Sequence, residues 1–412
     1  MASDLELHQL LDRSLPVAPL GLIVLPSAQK LGEEVNAYIS KFRDDDLNKI
    51  VKSSSPAFEH YYMSDYRIKT NLERYDTGEG RAVIEDTCRG KDLYILCDVT
   101  NHSITYQMNG FTNHMSPDDH FQDLKRVISA VSGHARRISV IMPFLYEGRQ
   151  HHRSGRESLD AANMLKELYD LRVDNFITFD AHDPRIASVE PIKDFSNFTT
   201  PYQFLHALID SFPDLKVDRE HTVVISPDEG ATSRAVYFAD VIGADMGMFY
   251  KRRDYTQIVG GKNPIVAHQF LGTDLDGKDA IVIDDMISTG GSILDTSKQL
   301  KEKMHAKRVF ICTTFGLFND GLSKFDAAYE KGHFDKVVTT NLTYQPEDLP
   351  SRPWFAQANM SKYLATIIEF INHDASITNV STSTDKIHEL LVKYNQKEQN
   401  EFEKMQIHQT QF

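Results

Sequence analysis

The sequence predicts an α/β protein of two tandem domains, each a mainly parallel sheet flanked by helices. Three observations predict it. The chain has 412 residues, long for a single hydrophobic core. Short apolar runs of strand length alternate with segments whose apolar residues recur at helical spacing, the rhythm of strand, crossover helix and parallel strand. The same junction, an apolar run, a small-residue turn and then a helix, occurs at residues 223–239 and again at 279–304.

In order, residues 1–19 read as an extension with a short helix (Leu5, Leu10, Leu11) and a proline-containing link. A first domain over 20–195 starts with a strand at Gly21 to Leu25 and a helix through Leu31, Val35 and Ile39. Residues 44–63 read as an irregular polar insertion. Strands then follow at Arg81 to Glu85, Leu93 to Cys97, Ile138 to Met142 and Asn175 to Thr178, with helices at Gln122 to Ser132 and Leu159 to Tyr169. Glu190 to Thr200 lacks periodicity and marks the boundary. The second domain, 196–375, has strands at Val223 to Ile225, Met248 to Tyr250, Ala280 to Ile283, Arg308 to Thr314 and Lys336 to Thr340, and closes with a helix at Lys362 to Ile371. Residues 376–412 read as a Ser/Thr-rich link and an amphipathic helical tail carrying Ile387, Leu390, Leu391 and Tyr394 on one face.

Composition narrows the function. A net charge of -14, from 45 basic and 59 acidic residues, argues against a general nucleic-acid binder. No apolar run of 18 residues and no secretory leader pattern is present, which predicts neither membrane spanning nor secretion. Three cysteines without C-x-x-C spacing fit the reducing cytoplasm, with Cys97 and Cys312 placed in the core.

The chemistry concentrates around Asp279 to Ser292. Asp284 and Asp285 close a buried strand and can accept hydrogen bonds from vicinal sugar hydroxyls or hold a cation. Ser288, Thr289, Gly290, Gly291 and Ser292 then offer hydroxyls, close backbone approach and the free N–H groups of a helix start, an anion site. A tight turn with an Asp cap is the plainer alternative. Val223 to Arg234 is a second loop of this kind, containing Asp228. Lys251-Arg252-Arg253 concentrates three cations, either a solvated edge or a clamp for charge on a transferring phosphoryl group. Between Tyr146 and Arg156 lie three arginines, two histidines and two glycines, a basic loop suited to closing over an anion or simply solvated. Asp180 and His182, at alternate positions of an extended chain, would point the same way and could share a metal or water.

Together these segments resemble the ribose-phosphate pyrophosphokinase family over residues 20–375. D-D-M-I-S-T-G-G-S resembles its ribose 5-phosphate loop, V-V-I-S-P-D-E-G-A-T-S-R-A its pyrophosphate loop and Y-K-R-R its catalytic arm. G-R-Q at Gly148 to Gln150 resembles the nucleotide-contacting stretch, and F-D-A-H-D-P the metal-site histidine segment. The resemblance implies two phosphoribosyltransferase-like domains. It also implies transfer of a diphosphoryl group from ATP to ribose 5-phosphate with Mg2+, in a cytoplasmic homo-oligomer, dimer or hexamer. It assigns the ribose hydroxyls to Asp284 and Asp285, the 5-phosphate to Ser288 through Ser292, and ATP to Arg149, Gln150 and Glu79. Magnesium falls to His182 and Asp228, and the transition state to Lys251 and Arg253. The chain differs at Tyr75-Asp76-Thr77-Gly78-Glu79, where the family's polar partner is altered at Thr77, and at His151-His152, where an acidic residue and cations usually follow. Residues 98–119 are also longer and more polar than the family pattern. A non-catalytic regulatory relative and a phosphoribosyltransferase are the alternatives. The presence of Lys251, Arg253, His182 and Asp228 argues against the first, and the whole first half against the second.

Overall fold

The structure, a computed structural model, describes residues 4–46, 49–55, 58–253 and 265–394. Two compact units account for it. The first comprises Met1–Thr200, Thr340–Pro346 and Asn359–Ser381, the second Pro201–Thr339, Glu347–Ala358 and Thr382–Phe412.

Among the described residues of the first unit nine strands form: β1 (Leu20–Val24), β2 (Thr70–Arg74), β3 (Gly80–Ile84), β4 (Asp92–Leu96), β5 (Thr105–Met108), β6 (Phe111–His114), β7 (Arg137–Ile141), β8 (Asn175–Phe179) and β9 (Asp194–Phe198). Five make a wholly parallel sheet in the order β1-β4-β7-β8-β9. The interior strand β4 is buried at every position, as expected of a strand covered on both faces. The helix Gln29–Asp44 buries Leu31, Val35 and Ile39, the predicted face. Helix Pro117–Val131 begins five residues before the predicted start. Ser116 and Asp119 form a capping box there, and Pro117 occupies the first turn.

Two features depart from the expected layout. The unpatterned stretch around residue 195 includes β9, whose mixed, polar exposure is tolerated because it lies at the sheet edge. The helix Ser361–Asn372, assigned by sequence to the second domain, packs in the first unit against helix Gln29–Asp44. A buried polar network ties it down. Arg43 donates to both Glu369 carboxylate oxygens at 2.8 and 3.1 Å and to Asn372 Oδ1 at 2.9 Å. Asn372 donates to Asp92 at 2.8 Å, which Arg137 also engages through two 2.8 Å bonds.

The second unit has a seven-stranded sheet: β10 (Thr222–Ser226), β11 (Asp245–Arg253), β12 (Ile265–Gly272), β13 (Asp279–Ile287), β14 (Arg308–Gly316), β15 (Lys336–Thr340) and β16 (Phe355–Ala358). Their order is β12-β11-β10-β13-β14-β15-β16, with β12 antiparallel to β11 and the strands from β11 to β15 parallel. One face packs on Phe318, Phe325, Phe334 and Trp354. The other packs on helices Pro201–Ser211 and Thr232–Ile242. Ile387 is fully buried in this second cluster with Leu390 and Leu391 against it, so the predicted tail face packs where it is described. Residues 395–412 and the loop carrying Gly260-Gly261-Lys262 lie outside the described residues. Cys97 and Cys312 are buried core residues, and burial pushes both thiols up. Among the described residues no helix is long and apolar enough to cross a membrane.

Candidate functional site

In the second unit, β13 runs four residues beyond its apolar core, pairing Asp284 with Thr313 and Ile287 with Gly316 of β14. The paired aspartates are therefore strand residues whose side chains alternate between the two sheet faces. Asp285 is buried, with its Oδ2 3.9 Å from Arg234 Nη2 on the helix that follows β10. Asp284 is half-buried and accepts the Asp285 N–H at 2.9 Å. Burial first, then the charges of Asp285 and Asp228, push its carboxyl well above the usual carboxylate range. Asp228 comes close because β10 lies beside β13, which puts the two post-strand loops at the same end of the sheet.

Beyond Ile287 the chain turns through Ser288 and Thr289 into helix Gly291–Glu302. Gly290 is the N-cap, at φ 80°, and no side chain caps the helix. A Cβ there would also lie 2.5 Å from the Phe325 ring. Both constraints select glycine, and they leave the first-turn N–H groups without an intrahelical acceptor. Gly291, Ser292 and Thr289 are exposed. Ser288 is held from outside the motif: Asn319 donates its side-chain N–H to Ser288 Oγ at 3.1 Å and its backbone N–H to Ser288 O at 2.9 Å. Nothing in the sequence marked Asn319.

The loop after β10 is closed by its own residues. Asp228 Oδ1 accepts from the Gly230 N–H at 3.0 Å, and Ser226 Oγ donates to the Asp228 carbonyl at 2.6 Å. Lys251 and Arg253 belong to β11, which extends well past the predicted 248–250, with backbones registered against His268 and Ile265 of β12. Their side chains lie outside what is described.

In the first unit, Glu79 is exposed in the turn joining β2 to β3, where its carboxylate accepts from Thr77 Oγ1 at 3.0 Å. A second hairpin, β5–β6, abuts that turn, its Asn109 N–H donating to Asp76 O at 3.0 Å. Arg149 is exposed on the loop that follows β7. Gln150 is half-buried and donates from Nε2 to Ser158 O at 2.9 Å. His182 is exposed, and the extended geometry expected through it is interrupted by Asp180 at φ 41°. The alternation argument linking Asp180 to His182 therefore fails. Instead the His182 ring centroid lies 5.7 Å from that of His151, whose Nε2 is 3.1 Å from Asp183. Hydrogen bonds from the Arg185 side chain and backbone, working against burial and helped by the nearby charge of His151, hold the Asp183 carboxyl down to about 2. Sequence spacing had no means of pairing His151 with Asp183, since the two reach each other only through the β7 to β8 crossover.

Among the described residues no three His, Cys, Asp or Glu side chains gather into a metal cage. Of the two candidate ligands, Asp228 carries the carboxylate oxygen that a hard ion such as Mg2+ takes, and His182 a ring nitrogen, which suits that ion less well.

Residues 21–171 match the family described as the N-terminal domain of ribose phosphate pyrophosphokinase, and residues 206–347 match the phosphoribosyl transferase domain. A ribose-phosphate pyrophosphokinase of Corynebacterium efficiens is 31% identical over 252 residues, covering 60% of this chain and 69% of its own. One from Vibrio cholerae is 28% identical over 315 residues, covering 74% and 89%. The crystal structure of a phosphoribosylpyrophosphate synthetase from Mycobacterium smegmatis shares the fold with a TM-score of 0.67 at 21% identity, over 86% of this chain and 99% of that one.

Proposed function

The chain belongs to the ribose-phosphate pyrophosphokinase family, and on that premise we propose that it transfers the β,γ-diphosphoryl group of ATP to the 1-hydroxyl of ribose 5-phosphate. The products are phosphoribosyl pyrophosphate and AMP. The observation that carries this reading is the junction at β13, where two carboxylates near the strand's end are followed, through the turn at Ser288 and Thr289, by an uncapped helix start at Gly290. Its donors and acceptors are those a sugar phosphate needs, and the match over 21–171 supplies the half that a phosphoribosyltransferase lacks.

In this account Asp284 and Asp285 accept from the ribose hydroxyls. The crowding that raises Asp284 is relieved by hydroxyl donors or by a cation, since either favours the carboxylate. Ser288, Thr289, Gly290, Gly291 and Ser292 take the 5-phosphate on backbone N–H and hydroxyl groups. Arg149 and Gln150 contact ATP, with Glu79 on the adenine side. The ribose 1-oxygen attacks the β-phosphorus, the bond from that phosphorus to the α-phosphate oxygen breaks, and AMP departs. Lys251 and Arg253 stabilise charge on the transferring group, so alignment and neutralisation do the catalysis without a protein nucleophile. His182 and Asp228 would hold magnesium associated with the triphosphate, which supplies charge neutralisation when bound. The enzyme acts as a cytoplasmic homo-oligomer in this reading. Release of AMP that depends on ribose 5-phosphate is the direct test.

A further inference from the structure

His151 follows the loop that carries Arg149 and Gln150, and it is only 13% exposed although its neighbours Arg149 and His152 stand in solvent. Its two ring nitrogens face different segments. Nδ1 lies 3.2 Å from the carbonyl of Gly148, in its own loop. Nε2 lies 3.1 Å from Oδ2 of Asp183, the residue after His182, and 2.9 Å from Nδ1 of His152. Asp183 is in turn fixed in place. Its Oδ1 accepts the backbone N–H of Arg185 at 2.9 Å and caps the short turn Pro184–Ser188, and the Arg185 guanidinium lies on the same carboxylate. Among the described residues the other ties of the 148–150 loop are local: Gly148 and Gln150 bond back to Leu145 and Glu147, Gln150 Nε2 reaches Ser158, and the Gln150 carbonyl accepts the Ala161 N–H at 3.4 Å.

We propose that His151 is a positioning residue that fastens the Gly148–Gln150 loop to the His182–Asp183 segment, so that Arg149, Gln150 and His182 meet the nucleotide as one preorganised surface. The proposal rests on the reading above that these groups take ATP. An exposed loop that must order on binding spends part of its interaction free energy on lost freedom, and a clasp already made in the folded protein moves that cost out of the binding step. His151 itself touches no substrate in this account.

The test measures magnesium ATP binding by calorimetry and steady-state kinetics on the full chain, for His151→Ala, His151→Gln and Asp183→Ala. His151→Ala is expected to raise the ATP Kd and the KM for ATP about tenfold, the range typical of lost support behind a binding group. The KM for ribose 5-phosphate and the Tm should stay at wild-type values. Gln, which can still donate to Asp183, should restore part of the affinity. The double variant His151→Ala/Asp183→Ala should bind ATP no worse than the weaker single variant, because both remove one link. A wild-type ATP Kd in His151→Ala overturns the proposal. So does a lower Tm and kcat with unchanged ATP affinity, the pattern of a purely structural residue. Calorimetry decides the clasp even if the wild-type enzyme releases no AMP, an outcome that would count against the activity alone.

Discussion

Gly290 lies so close to Phe325 that a Cβ on it would sit 2.5 Å from two carbons of the ring. Phe325 is fully buried and stacks on Trp354 at 5.6 Å, so it cannot yield cheaply. Gly290→Ala must also hold a left-handed backbone. We expect it to cost about 1–3 kcal/mol of stability. Shifting the helix start should also raise the KM for ribose 5-phosphate about tenfold or more. Gly291, with open space where its Cβ would go, is the control for stability. Denaturant midpoints of the two alanine variants and a substrate titration of Gly290→Ala check this, and equal destabilisation at both positions would contradict it.

Arg43 and Glu369 form a two-point ion pair with both side chains fully buried. Removing one partner strands a charge. Arg43→Met should therefore destabilise by about 3–5 kcal/mol, whereas Arg43→Met/Glu369→Leu should lose less. Urea unfolding followed by a probe in the first unit reads the difference. A single variant as stable as wild type would refute the buried pair.

His373 sits between Ser14 and Tyr61, bonded to them at 2.8 and 3.0 Å through its two ring nitrogens. Burial first, then the charges of Arg43 and Lys52, hold it down to about 3 from 6.5. The unfolded chain thus binds the extra proton across that window. The stabilising contribution is complete above pH 6.5 and is lost as pH falls toward 3, by at most about 1.4 kcal/mol per pH unit. Glu369, raised by burial against the pull of Arg43, contributes with the opposite sign. Comparing wild type with His373→Asn isolates the histidine: between pH 6.5 and 5 the variant should lose stability less steeply. Parallel curves would remove His373 from the account.

Lys251→Ala should lower kcat by about two orders of magnitude or more while leaving ribose 5-phosphate binding near wild type, because its charge is proposed to act on the transferring group. Single-turnover kinetics with parallel binding measurements separate the two. Unchanged kcat would take Lys251 out of the catalytic set.

Much of this fold was legible because its central strands are buried on both faces and so read as unbroken apolar runs, as in Leu93 to Leu96 or Ala280 to Ile283. Of the two hairpins only β3 was read, as the strand at Arg81 to Glu85; β2, β5 and β6 were not, since β5 and β6 expose most of their residues and β2 buries none of its own. One local signal was there to be used: Asn109-Gly110, both at positive φ, is the turn that closes β5 on β6. The loop proposed to take the 5-phosphate lies in one contiguous stretch of sequence, Ser288 to Ser292. Asn319 on Ser288, Arg234 near Asp285 and His151 on Asp183 were not legible, because each contact joins residues that only the chain topology brings together.

The central claim is tested most directly by measuring AMP formed from ATP, magnesium and ribose 5-phosphate. The account predicts AMP and phosphoribosyl pyrophosphate in equal amounts, with loss of both when ribose 5-phosphate is omitted or magnesium is chelated. AMP formation indifferent to ribose 5-phosphate, or none at all, would contradict it.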